Sequence, residues 1–215
     1  FDHAAFTGRS GAFFGYEGLG CVYWHMVSKL RLAVLEALVA ARRDGVDTDV
    51  VARLRRHYDD IRGGLGVDLE PARYGAFPTD PYSHTPAHGG VRQPGMTGQV
   101  KEDLLARRLE LGVEVRGGCL RFDTPILGPG EPLTERWRGR LGDDPDCDVD
   151  PGAVGFSVCG VPVRLRVGAA AGVTVHLRDG RTMAIAGQGL DSELSAELFG
   201  RTGRIARLDV QVRGG

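Results

Sequence analysis

The spacing of hydrophobic residues changes near the middle of the chain. From about residue 19 to residue 111 they recur every three or four positions, which predicts helices separated by loops. After Gly112 they alternate with polar residues in short runs that end at Gly or Asp-Gly, which predicts strands joined by tight turns. We therefore expect a mixed α and β chain, with a helical part over residues 1–112 and a β domain over residues 113–215.

Three helices are predicted in the first part. The segment CVYWHMVSKLRLAVLEALVAARR has one apolar stripe, formed by Val22, Met26, Leu30 and Val34. Further apolar residues widen the stripe, which indicates burial between neighbouring elements: Val27, Leu32, Leu35 and Leu38. DTDVVARLRRHYDDIRGGLG has Asp47 or Thr48 as its cap and a double glycine as its stop. TGQVKEDLLARRLELG is the third. The loop before it is about thirty residues long, and loops of this length inside a compact domain tend to have a function.

The second part predicts a small β-sandwich. VEVRGGCLRFDTPIL reads as a hairpin, and three more segments alternate with period two, over residues 155–168, 172–187 and 203–214. LDSELSAELFG predicts one short helix between strands. Residues from about 129 to 153 are polar and acidic, and we expect a connection there.

The composition excludes some classes of function. With a net charge of -1 over 215 residues, the chain has no basic field for general binding to nucleic acid or to an anionic membrane. Its cysteines lack the CxxC spacing of zinc sites, and no secretory signal or membrane-length apolar run is visible. Reduced thiols in a cytoplasmic protein are favoured. The chain begins at Phe1 without Met, and we expect a piece of a longer protein.

The first candidate site is YEGLGCVYWH, where a glycine-rich turn leads into the first helix. It presents Tyr16 and Glu17 in the turn and Trp24 and His25 in the first helical turns. Aromatic rings stack on sugar faces and carboxylates hold sugar hydroxyls, so the group suits a carbohydrate. A buried aromatic helix with His25 hydrogen-bonded in the core explains the same residues.

The second candidate is the long loop that ends in RQPGMTG. Tyr82 and His84 are among its polar residues, and His84, His88 and Asp80 raise the question of a metal. Pro86 lies between the two histidines and forbids a regular helix, and no strong third ligand follows at a known spacing. An active-site loop held in shape by prolines is favoured over a metal site.

The third candidate is Thr97-Gly98, at the start of the third predicted helix. The first N–H groups of a helix are unpaired and lie at the positive end of its dipole. Such a group of donors can bind a phosphate. Thr97 as an ordinary N-cap explains the same pattern. In a barrel of helices, successive inner helices present their N-termini to one mouth, so His25 and Thr97 could converge on one ligand.

The order of these motifs resembles the C-terminal third of the inverting cellobiose and chitobiose phosphorylases and of the related β-glucan phosphorylases. YEGLGCVYWH is similar to the segment that opens a barrel helix there, MTGQV to the Thr-Gly pair that opens the last one, and the β domain to their closing β-sandwich. The resemblance implies the last helices of an (α/α)6 barrel followed by a small C-terminal β-sandwich. The segments QVKEDLL, DPYSHTPAH and HMVSKL depart from the family pattern, which indicates a divergent relative.

The resemblance also implies a reaction, the inverting phosphorolysis of β-linked oligosaccharides to sugar 1-phosphate. Inorganic phosphate is the co-substrate, no other cofactor is needed, and the family's phosphate ligands fall on His25, Thr97 and Gly98. Contacts to the oligosaccharide are expected from the remaining polar and aromatic residues of the motifs: Tyr16, Glu17, Trp24, Tyr82, His84 and Gln99. The family's general acid is an Asp that would lie upstream of Phe1, so we expect these 215 residues alone to be inactive.

Two other functions fit the same pattern. One is an inverting glycoside hydrolase on the same scaffold, and the other is a non-catalytic carbohydrate-binding module centred on the β domain. The second has few aromatic residues that could be exposed for stacking: Phe122, Trp137, Phe156 and Phe199. No nucleic-acid or membrane partner is expected, and a homodimer of the full-length enzyme is compatible with the resemblance.

Overall fold

A computed structural model describes residues 24–65, 99–128 and 130–214. These residues divide into two compact units, a helical unit that ends at Arg107 and a β unit that begins at Arg108. Across the described ranges there are four helices and nine strands, which confirms the mixed α and β class.

Three helices precede the first strand: α1 over Trp24–Arg43, α2 over Thr48–Leu65 and α3 over Gln99–Glu110. Asp47 caps α2, because its carboxylate accepts a hydrogen bond of 2.8 Å from the N–H of Asp49. The helix continues through the predicted double-glycine stop to Leu65, which is buried. A helical glycine costs about 1 kcal/mol relative to alanine, so packing of Leu65 can outweigh it.

The buried face of α1 agrees with the predicted stripe only in part. Leu35 and Leu38, which were predicted to widen the stripe, are fully buried, but Met26 and Leu30 are 56% and 54% exposed. The buried positions recur at three and four residues, as one helical face requires: Ser28, Arg31, Leu35, Leu38 and Ala41. Met26 and Leu30 were wrongly expected to be buried, because the buried face continues through Ser28 and Arg31, polar residues that hydropathy alone assigns to the surface.

The β unit contains two separate hairpins and one five-stranded sheet. The strands of the hairpins are β1 (Val113–Arg116) with β2 (Cys119–Phe122), and β3 (Trp137–Leu141) with β4 (Asp144–Val149). The strands of the sheet are β5 (Ala153–Val158), β6 (Val161–Gly168), β7 (Gly172–Leu177), β8 (Thr182–Ala186) and β9 (Ile205–Arg213). A short helix, α4 (Ser192–Phe199), precedes β9. The first hairpin and α4 lie where the sequence predicted them.

The order of strands in the sheet is β5-β6-β9-β7-β8. The strand β9 is parallel to β6 and antiparallel to β7. One face of these central strands is apolar and buried, with Val163, Leu165, Val175, Leu208 and Val210 among its residues. That face forms the main core of the unit together with apolar residues of α4 and of the first hairpin, which leaves the opposite face for polar residues.

Residues 129–153 were predicted as a connection, and this prediction was wrong, because β3 and β4 form a hairpin there. Few apolar residues mark it, since its small core consists of Cys147, Val149 and Ala153 with Leu133 and Leu141 beside them. Its acidic residues form ion pairs with arginines of the β unit, which include Arg138–Asp146, Arg136–Asp150 and Arg164–Asp148. Charge pairing thus accounts for the acidic composition of this segment.

Phe122 was counted among the aromatic residues that could be exposed, and it is fully buried in the main core. Trp137 and Phe199 are each 38% exposed. The described part of the β unit therefore offers even fewer stacking surfaces for a sugar than the sequence indicated.

The end of α4 carries a pH-dependent contact. The Thr202 hydroxyl donates to the Glu197 carboxylate, and this hydrogen bond, with Arg204 nearby, lowers the pKa of Glu197. A carboxyl group whose pKa is lower in the folded state stabilises the fold above its unfolded pKa, and the stabilisation is lost as the pH falls through the folded value.

We therefore expect Glu197→Gln to be less stable than the wild type at about pH 7, and the difference to shrink towards about pH 3. Urea unfolding at both pH values, followed by circular dichroism, measures this difference. A difference in stability between the variant and the wild type that is the same at both pH values would contradict the expectation.

Candidate functional site

Of the site residues predicted from the motifs, the structure describes Trp24, His25 and Gln99. Trp24 and His25 are the first two residues of α1, and Gln99 is the first residue of α3. Both motifs therefore run into helices, and Thr97-Gly98 comes directly before Gln99 in the sequence. The other predicted residues lie outside the described ranges: Tyr16, Glu17, Tyr82, His84, Thr97 and Gly98, as do Asp80 and His88 of the metal alternative.

A polar cluster joins the three helices of the helical unit. It consists of Arg31 on α1 and Tyr58 on α2, which are buried, and Asp103 on α3, whose side chain is 51% exposed. Arg31 donates to the Asp103 carboxylate at 2.9 Å and to the Tyr58 hydroxyl at 3.4 Å, and its guanidinium lies 5.9 Å from the centre of the Tyr58 ring. A buried guanidinium is strongly destabilising without such partners, so the cluster fixes the start of α3 against α1 and α2.

Glu102 is 3% exposed, and its Oε2 atom is buried without a hydrogen-bond partner among the described residues. Its Oε1 atom lies 3.7 Å from the ammonium group of Lys101. Buried carboxylates normally have their oxygens paired, so this one is an unusual polar group close to the start of α3.

The β unit carries a second polar region, on the face of the sheet opposite the core. Alternate residues of the three central strands point there, and this polar face comprises Arg164, Arg166, Thr174, His176, Arg207, Asp209 and Gln211. Burial of their neighbours on the same strands fixes the direction of each side chain, because successive side chains of a strand alternate between the two faces.

Asp209 is the centre of this polar face. Its carboxylate lies 2.7 Å from Nε2 of His176 and accepts a hydrogen bond of 3.0 Å from Nε of Arg207. Nε of Arg164 is 3.9 Å away. Arg164 also donates to the Asp148 carboxylate at 2.6 Å. Three basic side chains thus converge on one carboxylate, which holds them in place on adjacent strands.

Arg164 is the least exposed of the charged groups, with 16% of its side chain accessible. Burial alone would lower the pKa of its guanidinium, but the neighbouring Cys147, Asp209 and Asp148 outweigh that effect and the pKa is raised. These neighbours therefore favour the charged form of Arg164.

A cavity of about 550 Å³ lies on the polar face. Its polar lining comprises Asp150, Arg164, Arg166, Thr174, Asp209 and Gln211. Its small residues are Ala153, Ala171, Gly172 and Ala184, which leave the space above the sheet unfilled. The volume is within the range of small-molecule sites, and the lining offers hydrogen-bond donors as well as acceptors.

The sequence motifs did not indicate this cavity, although one signal was available. In VRLRV and RLDVQV, charged or amide side chains occupy every second position of strands that are otherwise strongly apolar. Such alternation predicts a polar face in the middle of a sheet, and only the order of the strands brings the two segments together.

No described helix is both long enough and apolar enough to cross a bilayer. Within the described ranges, no three histidine, cysteine or carboxylate side chains are arranged to hold a metal ion.

Comparison with known proteins gives no relative from which a function could be transferred. No protein-family model matches the chain, and no curated protein is significantly similar to it in sequence.

Proposed function

We propose that the chain is the C-terminal part of a divergent, cytoplasmic inverting glycoside phosphorylase. In this proposal α1, α2 and α3 are the last helices of an (α/α)6 barrel, and the β unit is its C-terminal β-sandwich. The observation that carries the proposal is that both motifs run into helices. His25 is a residue of α1, and Gln99, which follows Thr97-Gly98 in the sequence, is a residue of α3.

A phosphate ion would be held by the His25 ring, the Thr97 hydroxyl and the Gly98 amide. The first turn of a helix supplies unpaired N–H groups and the positive end of the dipole, and glycine lets an anion approach the backbone closely. The Arg31 cluster supports the proposal, since it fixes the start of α3 against α1 within the same unit.

The reaction would be a single displacement at the anomeric carbon. A phosphate oxygen attacks this carbon, the glycosidic C–O bond breaks, and one carboxylic acid protonates the leaving oxygen, which inverts the configuration. The resemblance assigns that acid to a barrel segment upstream of the matched region. Tyr16, Glu17, Trp24, Tyr82, His84 and Gln99 would contact the sugar.

Phosphate binding can be tested with the 215-residue chain. Titration calorimetry with inorganic phosphate is expected to show saturable binding that weakens about tenfold in His25→Ala and in Thr97→Val, the loss of one good hydrogen bond to a charged ligand. His57→Ala is a matched control, because His57 is an exposed histidine of α2. Equal affinities in all three variants would contradict the site.

Catalysis is tested with the natural polypeptide that contains these residues. Cellobiose or chitobiose with phosphate should yield sugar 1-phosphate of inverted configuration, as read by NMR of the anomeric proton. The 215-residue chain alone should yield none. Sugar release that does not depend on phosphate would instead support the glycoside hydrolase alternative.

A further inference from the structure

We propose that the cavity on the polar face of the β unit binds a neutral, polyhydroxylated ligand, a sugar residue of a glycan. This inference goes beyond the phosphorylase proposal and does not depend on it, because every residue that lines the cavity belongs to the β unit.

The charges that line the cavity balance. Two arginines, Arg164 and Arg166, face two carboxylates, Asp150 and Asp209. Arg164 donates to Asp148 through Nη2 and Arg166 to Asp150, at 2.6 and 3.1 Å, while Nε of Arg164 is buried without a hydrogen-bond partner among the described residues and can donate to a ligand oxygen. An anion would be repelled by the two carboxylates of the lining and a cation by its two arginines. A ligand without charge avoids both costs.

The hydrogen-bonding groups of the cavity match hydroxyl groups. The Thr174 hydroxyl and the Gln211 amide line it, and neither has a side-chain hydrogen bond to any described residue. Together with the carboxylate of Asp150, they offer both donors and acceptors. A sugar hydroxyl donates one hydrogen bond and accepts two, so it can pair with this mixed lining, whereas an apolar ligand would leave these groups unpaired.

Gly172 keeps the cavity open, although the backbone does not require a glycine there. It lies on β7 next to the buried Val173, and its φ angle is not in the left-handed region. A Cβ at this position would meet only the carbonyl oxygen of Ile185, at 3.6 Å. Glycine weakens a strand interior and often marks a place where a ligand approaches the backbone closely, which is the role we assign to Gly172.

The test is an NMR titration of the ¹⁵N-labelled 215-residue chain with glucose, N-acetylglucosamine and cellobiose, each to about 50 mM, since single sugar sites with few contacts bind in the millimolar range. At least one of these sugars is expected to shift the amide signals of Thr174 and Gln211 in a saturable way. Inorganic phosphate and citrate are the anionic probes, and they should not shift these signals.

Two variants make the expectation specific. Gly172→Val places a side chain in the cavity and should weaken sugar binding at least about tenfold, while Thr174→Val removes only a hydroxyl and should weaken it several-fold. Thr182→Val, the same change at an exposed residue of β8 outside the cavity, is the matched control. His25→Ala should leave sugar binding unchanged, which separates this site from the proposed phosphate site.

The proposal is overturned if none of the three sugars shifts the cavity signals, or if phosphate or citrate shifts them in place of a sugar. It is also overturned if Thr174→Val binds sugar as tightly as Thr182→Val does. This last comparison does not depend on whether Gly172→Val folds.

Discussion

Replacement of Gly112 by alanine is expected to destabilise the β unit by about 3 kcal/mol or more, since a left-handed backbone and an overpacked contact each cost about 1–3 kcal/mol. Gly112 has a φ angle of +69°, and a Cβ there would lie 2.1 Å from the carbonyl oxygen of Asp123. The two backbones cannot move apart freely, because the Asp123 N–H donates to the Gly112 carbonyl at 2.7 Å. Urea unfolding followed by circular dichroism measures the loss.

Gly117→Ala is the matched control. Gly117 also has a left-handed φ angle, +56°, but a Cβ there would meet no atom within 4 Å. It should therefore show only the conformational cost, about 1 kcal/mol. The difference between the two variants isolates the contact with Asp123, and equal losses would show that this contact can relax.

The second large effect is expected from Asp209→Asn, at about 1–3 kcal/mol, the range for a hydrogen-bonded charge that is removed while its partners stay in place. The substitution keeps the shape of the side chain but leaves Arg164, His176 and Arg207 without the carboxylate on which they converge. Asp209 is 34% exposed, so solvent moderates the cost. Thermal unfolding of both proteins at one pH and one ionic strength gives the difference.

Asp146→Asn is the matched control for this effect. Asp146 also pairs with an arginine, Arg138, but their side chains are 61% and 70% exposed. Exposed ion pairs contribute little to stability, so this variant should unfold close to the wild type. If both variants lost the same stability, the convergence on Asp209 would have no special role.

The elements that could be predicted from the sequence are those with one clear apolar face. The alternation in β6, β7 and β9 and the helical spacing of α2 and α4 reflect burial on a single side, which periodicity reports directly. The hairpin β3–β4 was missed, because it contains few apolar residues and three of the acidic residues in this segment pair with arginines. The buried face of α1 was predicted correctly at Leu35 and Leu38 but not in its first turns, where Ser28 and Arg31 are polar residues inside the unit.

The candidate sites also differ in how far the sequence indicates them. The helices that contain His25 and Gln99 could be anticipated from local patterns. The roles of His25, Thr97 and Gly98 stay predictions. The meeting of Arg164 with Asp209 on the polar face could not be anticipated, since they are 45 positions apart and come together only because β9 pairs with β6. Local patterns indicate where a strand lies but not which strand becomes its neighbour.

The central place of β9 makes the sheet an all-or-none structure. Without this strand, β5–β6 and β7–β8 would be two separate hairpins, with Arg164 on one and His176 on the other. During synthesis the two hairpins leave the ribosome before β9. Neither the main core nor the cavity can therefore form until the residues of β9 have emerged. A chain cut directly before Ile205 would therefore keep at most two separate hairpins and not a four-stranded sheet.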